Sequence, residues 1–419
     1  MLNLTETMRM KQVHILSLIL IIILLIASAT LLLSHTQSIN QPKDQVYVGI
    51  AFGGNTTAQA KLLIDRTKSY TNLFILASGI NAISTNQSAV EEICDYAVNS
   101  GLNIIINLGT WTRKNWDWQI QLYNDSREKY GEKFLGAYYD DEVGGIPLDY
   151  NWTAYFSRSS SPLFLHAPTA NNRYSLVFPN ITGTQPDNYS EEAKWFDQLL
   201  ETNRGHNDLK RYNITTFTSD YALYWFDYLG GYHNLFAQLG WNESVNQQIS
   251  LIRGAATLQN KGWGTVITWK YTQPPYLDEA KNIYNQMVTS YKAGAKYIVL
   301  FNYSNGTQID PYGGAMTNDH FQALENFWNQ VVTKSAPNTV KARVALTLPK
   351  DYGSGLRSPT DKIWGFWGPD EKSPLIWNNM QTLLNKYGLR LDIIYDDPAF
   401  PLQGNYSKVY YWNQTITQG

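Results

Sequence analysis

Short apolar runs alternate with amphipathic stretches along about 290 residues of this chain. The apolar runs are rich in β-forming residues and number eight: Val46–Phe52, Asn72–Ala77, Leu102–Leu108, Phe134–Tyr139, Ala222–Phe226, Asn234–Leu239, Thr265–Trp269 and Tyr297–Phe301. Continuous apolar runs of this length are typical of parallel strands that are buried on both faces. The amphipathic stretches number seven: Ala58–Tyr70, Ser88–Ser100, Asn115–Glu132, Ser190–Arg211, Ser244–Lys261, Leu277–Ala293 and Asn318–Thr333.

The number of repeats distinguishes two α/β architectures. Eight strands over residues 46–336 predict a closed (β/α)8 barrel of the TIM type, whereas an open doubly wound sheet rarely needs eight repeats. The link Gly230–His233 between the fifth and sixth strands is predicted to lack a helix. The segment Gly145–Tyr189 is rich in Pro, Asn, Ser and Thr, with one strand-like run at Leu163–His166. It is predicted to be an insertion above the open face of the barrel.

Residues 337–419 predict a second, smaller α/β unit. Its strands are expected at Val340–Leu348, Leu391–Tyr395 and Val409–Trp412, with a helix at Ile376–Tyr387. This order indicates a small βαβ layer, similar to part of a flavodoxin-like sheet. It carries no Gly-rich phosphate loop, so no cofactor is predicted.

The segment Ile15–Leu33 contains nineteen consecutive residues without a charge. As a helix it would span about 28 Å, close to the hydrocarbon thickness of a bilayer. Positive residues at positions 9 and 11 precede it, which predicts a cytoplasmic tail at 1–14, a stem at 34–45 and an extracellular globular part held at the cell membrane. A cleaved signal peptide is the alternative, because Ala27–Ala29 has the small residues of a cleavage site.

Composition agrees with export. Twelve Asn-x-Ser/Thr sequons follow the apolar run, which predicts N-linked glycans: Asn55, Asn86, Asn124, Asn151, Asn180, Asn188, Asn213, Asn242, Asn302, Asn305, Asn405 and Asn413. Cys94 is the single cysteine, so an intramolecular disulfide is excluded. Charged residues make up 16% of the chain and the net charge is −2, which makes nucleic acid an unexpected partner.

Acidic residues follow the fourth predicted strand as the triplet Asp140, Asp141 and Glu142. In barrels of this kind active residues lie at the carboxyl ends of the strands. Crowding and partial burial raise the pKa of a carboxyl group, and glycoside hydrolysis needs such a general acid together with a second carboxylate. We expect Glu142 as the acid and Asp227 as the second carboxylate, or Asp220 if the fifth strand lies further N-terminal. Alternatively, the triplet caps the following loop or binds Ca²⁺.

Other polar and aromatic residues at predicted strand ends are candidates for sugar binding. Trp111, Trp241 and Trp269 are expected to ring the open face as platforms for sugar rings, because aromatic faces stack on sugars. The remaining candidates are Tyr139, Gln238, Lys270 and Tyr303. Lys270 is expected either to bond a sugar hydroxyl or, by charge pairing, to meet the acidic triplet. A catalytic metal is not predicted, because the six His residues form no i, i+4 pair.

The segment Gly136–Gly145, with the sequence GAYYDDEVGG, resembles the fourth-strand Tyr-x-Asp-Glu-Pro/Val-Gly signature of TIM-barrel glycoside-hydrolase-like proteins. Tyr224–Tyr228, Trp263–Trp269 and Leu348–Gly353 are similar to uncharacterised archaeal membrane-anchored surface proteins of that superfamily. The resemblance spans about residues 46–395. It implies a carbohydrate-active barrel with Asp141 and Glu142 as the acidic pair. It also implies a Glu on the sixth strand, where this chain has Gln238.

Two functions follow from these observations. One is an extracytoplasmic glycoside hydrolase that acts on polysaccharide or glycan through paired carboxylates. The other is a non-catalytic glycan-binding or cell-envelope structural protein on a degenerate barrel. A cleft with two carboxylates about 5 to 10 Å apart and walled by Trp favours the hydrolase, and a filled barrel mouth favours the binding protein.

The assignment of the apolar run to an anchor can be tested by truncation. Deletion of residues 1–34 should give a protein that stays in the supernatant after ultracentrifugation, because the polar stem then leads directly into the globular part. The full chain, expressed in parallel, should sediment with membranes. A truncated protein that still sediments entirely with membranes would contradict the assignment.

Overall fold

Eight parallel strands close into a barrel. In the computed structural model they are β1 Tyr47–Phe52, β2 Leu73–Ala77, β3 Asn103–Asn107, β4 Phe134–Tyr138, β5 Thr216–Asp220, β6 Asn234–Leu239, β7 Gly262–Ile267 and β8 Tyr297–Asn302. Each strand pairs with the next along the chain, and β8 pairs with β1, where Tyr47 lies opposite Tyr297 and Phe52 opposite Asn302. The closed barrel confirms the predicted architecture and excludes the open sheet.

The structure describes residues 45–77, 82–109, 113–151, 186–241, 243–334, 339–402 and 404–416, without the side chains of 82, 113–116 and 204. Ile15–Leu33, Trp111 and Leu163–His166 lie outside these ranges. Within them, no helix is both long and apolar enough to cross a bilayer.

Helices cover the outside of the barrel. They are α1 Thr57–Thr67, α2 Gln87–Asn99, α3 Arg113–Tyr130, α4 Gly145–Asp149, α5 Tyr189–Thr202, α6 Arg204–Arg211, α7 Tyr224–Leu229, α8 Val245–Gln259, α9 Ala280–Ala293 and α10 Asn318–Phe327. The stretch predicted as one helix, Ser190–Arg211, divides at Asn203. The side chain of Asn203 accepts a hydrogen bond from the Gly205 N–H at 2.9 Å, which caps α6.

The predicted position of the fifth strand is wrong. β5 is Thr216–Asp220. The run predicted as a strand, Ala222–Phe226, instead leads into the short helix α7, so the link between β5 and β6 contains a helix that was not predicted. All residues of α7 from Tyr224 to Tyr228 are buried, so this helix has no polar face and its sequence resembles that of a buried strand. β5 has the polar sequence TFTSD and is nevertheless fully buried, because its side chains find partners inside the protein.

β7 begins three residues earlier than predicted. Its first three residues include Gly262 and Gly264, and glycines so close together are typical of a turn. A Cβ at Gly264 would lie 2.5 Å from the backbone oxygen of Tyr297 on β8. Glycine is therefore needed there for close packing of the two strands, although the predicted strand started only at Thr265.

The barrel interior is apolar. At the amino end of the strands, Tyr47 stacks on Tyr297 with ring centroids 5.2 Å apart, and Phe217 meets Tyr297 edge to face. Nearer the carboxyl ends, five buried side chains form what we call the apolar floor: Ala51, Ile75, Phe236, Val266 and Val299. The floor closes the barrel below its mouth, so any ligand enters from the carboxyl ends of the strands.

The C-terminal residues form the predicted small parallel sheet. Its strands are β9 Val344–Leu348, β10 Leu391–Tyr395 and β11 Lys408–Tyr411, in the order β10-β9-β11, and the helix α11 Ser373–Tyr387 connects the first two. Arg253 on α8 donates to Asp392 on β10 at 2.8 Å, and both side chains are almost fully buried. This ion pair ties the small sheet to a barrel helix.

One sequon is inaccessible. Asn302 is 1% exposed, its Nδ2 donates to Asp310 at 2.8 Å, and its Oδ1 accepts from the backbone N–H groups of Ala315 and Met316. A glycan on Asn302 would have to break these bonds, so this position is a correction to the predicted set of modified residues.

Candidate active site at the barrel mouth

A cavity of about 260 Å³ opens at the carboxyl ends of the strands. The residues that line it above the apolar floor come from strand ends around the barrel and are Ala77, Asn107, Gly109, Tyr138, Asp140, Asp141, Glu142, Ser219, Gln238, Trp241, Thr268, Trp269, Phe301 and Tyr303. The cavity has the position that active sites occupy in this architecture.

The acidic triplet lies at the mouth, and all three of its residues border the cavity. The carboxyl oxygens of Asp140 are buried, so Asp141 and Glu142 are the members whose carboxylates can meet a ligand there. Simple strand alternation predicts that Asp141 faces away from Asp140 and Glu142. Alternation does not apply, because β4 ends at Tyr138 and both Asp140 and Glu142 have left-handed backbone conformations, each with φ of 54°. The Glu142 N–H donates to the Ser219 carbonyl at 2.9 Å, which holds the turn against β5.

A hydrogen-bond network fixes two of the carboxylates. The Tyr138 hydroxyl lies 2.6 Å from Asp141 Oδ1 and donates to it, and the Ser219 hydroxyl donates to the same oxygen at 2.9 Å. Gln238 Nε2 donates to Glu142 Oε1 and to Ser219 Oγ, both at 3.0 Å. Burial, and then the charge of Asp141, raises the pKa of Tyr138 well above its usual value. Tyr138 therefore stays a neutral donor to Asp141.

An aromatic wall, which we define as Trp241, Trp269 and Tyr303, forms the other side of the mouth. Trp269 stacks on Tyr303 with centroids 5.6 Å apart and planes 12° from parallel, and its indole N–H donates to the Tyr303 carbonyl. Trp241 meets Trp269 edge to face at 6.3 Å and is 39% exposed. Such a rigid, partly exposed aromatic surface is suited to a sugar ring.

Not every predicted binding residue reaches the cavity. Tyr139 points outward, donates to Asn203 at 2.6 Å and stacks on His206, because it follows the inward-facing Tyr138. Lys270 pairs with Asp278 at 3.0 Å and not with the acidic triplet.

Asp227, the expected second carboxylate, lies on α7 and is fully buried outside the cavity. The fallback candidate, Asp220, ends β5 but also points away from the mouth. It accepts hydrogen bonds from the N–H groups of Gly144 at 2.7 Å and Gly145 at 2.9 Å. Burial raises the pKa of Asp220 to about 8, and burial together with the charge of Asp220 raises the pKa of Asp227 well above its usual value. Both carboxyl groups lie on the side of the acidic loop, Asp140–Gly145, that faces away from the cavity, and Asp220 holds this loop through its hydrogen bonds.

Gly145 shows why the sequence after the triplet is glycine-rich. A Cβ at Gly145 would lie 2.3 Å from the ring of Tyr221, so a side chain there would displace the loop from Asp220. Sequence reasoning missed this support, and it missed Tyr138 and Ser219. A register irregularity in β4 places both Leu135 and Tyr138 against the barrel interior, so regular alternation along the strand does not reveal Tyr138. Ser219 was hidden by the misplaced fifth strand.

Metal binding is the alternative role for the triplet. In the part of the chain that the structure describes, no group of three or more His, Cys, Asp or Glu side chains is arranged to hold a metal ion.

The chain resembles known proteins in its fold and not in its sequence. No protein-family model and no curated protein sequence matches the chain. Among solved structures, a β-galactosidase from the haloarchaeon Halorubrum lacusprofundi superposes with a TM-score of 0.55 at 10% identity, over 87% of this chain and 68% of that one. A β-galactosidase from Marinomonas ef1 gives 0.53 at 9% identity, over 87% and 72%.

A GH5_18 protein from Streptomyces cattleya, solved in complex with Manβ1-4GlcNAc, gives a TM-score of 0.50 at 9% identity, over 88% of this chain and 99% of that one. These similarities establish a TIM-barrel fold of the kind found in glycoside hydrolases.

The buried carboxyl groups predict a pH-dependent stability. Asp220 has a folded-state pKa of about 8 against an ordinary value of 3.8, so its stabilising contribution is present below pH 3.8 and is lost as the pH rises through 8. The pKa of Asp227 is shifted in the same direction. The free energy of unfolding in urea should therefore fall between pH 5 and pH 8, and less steeply in Asp227→Asn.

The matched control is Asp65→Asn. Asp65 is exposed and its hydrogen bond from Lys68 lowers its pKa, so its contribution is constant over this range and the slope should not change. Equal slopes for the wild type and Asp227→Asn would show that Asp227 is ionised in the folded protein.

Proposed function

We propose that the barrel mouth binds a glycan and hydrolyses a glycosidic bond, with Glu142 as the general acid. The observation that carries the proposal is the position of the acidic loop opposite the aromatic wall across one cavity. A sugar ring stacked on Trp269 would present its glycosidic oxygen to the acidic loop. The carbohydrate complex of the structurally similar Streptomyces protein agrees with a sugar ligand for this type of barrel.

Gln238 supports the role of Glu142 as an acid. Its amide donates to Glu142 Oε1, so a proton on this carboxyl group is directed to the other oxygen, Oε2. Gln238 is itself 5% exposed and anchored on Ser219, so the geometry of the pair is rigid. A rigid donor at Oε1 orients the acid without adding a charge.

Asp227 takes no part in the proposed reaction, because a fully buried side chain on α7 cannot touch a sugar in the mouth. It includes Asp141 beside Glu142 as a charged neighbour held by Tyr138. We further propose that the protein is bound to the cell membrane by Ile15–Leu33, like the archaeal surface proteins that its sequence resembles, and that accessible sequons carry glycans.

A non-catalytic glycan-binding protein is the second candidate. Gln238 favours it, since the sequence resemblance predicts a catalytic Glu on β6 and an amide there cannot act as a nucleophile. The aromatic wall and the cavity would serve binding equally well. The two candidates differ in whether Glu142 is needed for turnover.

Replacement of Glu142 separates the candidates. Glu142→Gln should lower kcat on natural oligosaccharides by about 10² to 10⁴-fold, because general acid help is worth that much. On activated aryl glycosides kcat should fall less, since a good leaving group needs less protonation. Glycan affinity, measured by calorimetry, should be nearly unchanged. Glu132→Gln, an exposed change at the opposite end of β4, is the matched control and should keep full activity.

Equal losses on natural and activated substrates would give Glu142 a different role. A wild-type protein that binds glycans in the mouth but cleaves none of them would establish the second candidate.

A further inference from the structure

We propose, as an extension that rests on the proposed hydrolase, that the substrate is a glycoside of a 2-acetamido-2-deoxy sugar. Its own acetamide oxygen is the nucleophile, and Asp141 orients the acetamide. The observation behind this is that the carboxylates of the mouth come from one loop.

The opposite walls of the mouth carry amides and hydroxyls. Among the described lining residues beyond the acidic loop, the strand ends contribute Asn107, Ser219, Gln238 and Thr268 but no carboxylate. The segments outside the described ranges after β1 do not contain one either. Residues 78–81, 110–112, 152–185, 242, 335–338, 403 and 417–419 include no Asp or Glu in their sequence. Among the residues that the structure describes, the walls beyond the acidic loop therefore line the cavity without a second carboxylate.

This arrangement does not fit a mechanism with two carboxylates. That mechanism places its two groups on opposite sides of the scissile bond, about 5 to 9.5 Å apart. Asp141 and Glu142 are neighbours in one turn and approach a bound sugar from the same side. Hydrolysis with retention then needs a nucleophile from elsewhere, and substrate-assisted glycosidases take it from the sugar.

Asp141 has the fixed geometry that such a reaction requires. Tyr138 and Ser219 both donate to its Oδ1, at 2.6 and 2.9 Å, so the carboxylate is held rigidly beside Glu142. A rigid carboxylate accepts the N–H of an acetamide and stabilises the positive charge that develops on it. A hydroxyl at C2 in place of the acetamide would develop no such charge.

The apolar floor accounts for the rest of the acetamide. Ala51, Ile75, Val266 and Val299 lie beneath the carboxylates and line the same cavity. A methyl group is matched to these side chains, whereas a sugar hydroxyl there would lose its hydrogen bonds to water. The floor therefore selects for an N-acetyl group directed into the barrel.

The reaction balances without any further reagent. The acetamide oxygen bonds to C1 as the bond from C1 to the leaving oxygen breaks, and the Glu142 proton moves to that oxygen. The resulting oxazolinium ion donates its N–H to Asp141. Water then bonds to C1 and gives a proton to Glu142 as the acetamide oxygen leaves, which restores the acetamide and the acid. The sum is glycoside plus water giving free sugar and alcohol.

The decisive test uses the wild-type full chain in detergent. Aryl 2-acetamido-2-deoxy-glycosides are compared in a series whose acetyl group carries no, one, two or three fluorines. Fluorine makes the carbonyl oxygen a weaker nucleophile, so kcat/KM should fall by more than about tenfold along the series. The corresponding 2-hydroxy glycosides should be cleaved at least about tenfold more slowly than the unfluorinated substrate. A flat series would overturn the inference.

A variant tests the role of Asp141 separately. Asp141→Asn should lower kcat on the acetamido substrates far more than it changes KM, because the amide cannot stabilise the developing charge. Asp125→Asn, an exposed change on α3, is the control. The fluorine series needs no variant, so the inference stays testable if Asp141→Asn does not fold.

The outcomes separate this inference from the proposed function. Equal cleavage of 2-hydroxy and 2-acetamido glycosides would refute the inference alone and keep the hydrolase. No cleavage of any aryl glycoside in either series would refute both.

Discussion

The hydrogen bonds that the buried Asp220 carboxyl accepts from Gly144 and Gly145 are the constraint on which the site depends. They fasten the loop after β4 to the end of β5. Within this loop the chain turns at Asp140 and Glu142, which both have left-handed backbone conformations. The turn brings Asp141 and Glu142 to the cavity, whereas the carboxyl oxygens of Asp140 are buried. Asp220 thus positions the acidic residues through the backbone, since its own side chain does not line the cavity.

The fixed loop makes the mouth asymmetric. Carboxylates lie on one side and an aromatic wall on the other, with an apolar floor between them. Tyr138, Ser219 and Gln238 connect the loop to three neighbouring strands, so the charged groups are oriented before a ligand arrives. This rigid order suits electrostatic stabilisation of a developing positive charge on a sugar.

Sequence patterns were sufficient for the fold and for part of the site. The barrel, the small sheet, Glu142 and the wall residue Trp269 follow from buried apolar runs and from what succeeds each run. The fifth strand could not be found in this way, because TFTSD is buried through hydrogen bonds and YWFDYL is a helix buried on every side. Because the fifth strand was predicted in the wrong place, Asp227 was wrongly predicted to lie in the site and Ser219 was not identified. Tyr139 was misplaced for a simpler reason, since its neighbour Tyr138 takes the inward position.

The central claim is that one glycan occupies the mouth between the acidic loop and the aromatic wall. A crystal structure of the Glu142→Gln protein with a bound oligosaccharide would test it most directly. We predict a sugar ring stacked on Trp269 and a glycosidic oxygen within about 3.2 Å of the side chain at position 142. A sugar bound elsewhere on the surface, or a mouth occupied by the protein's own residues 152–185, would contradict the account.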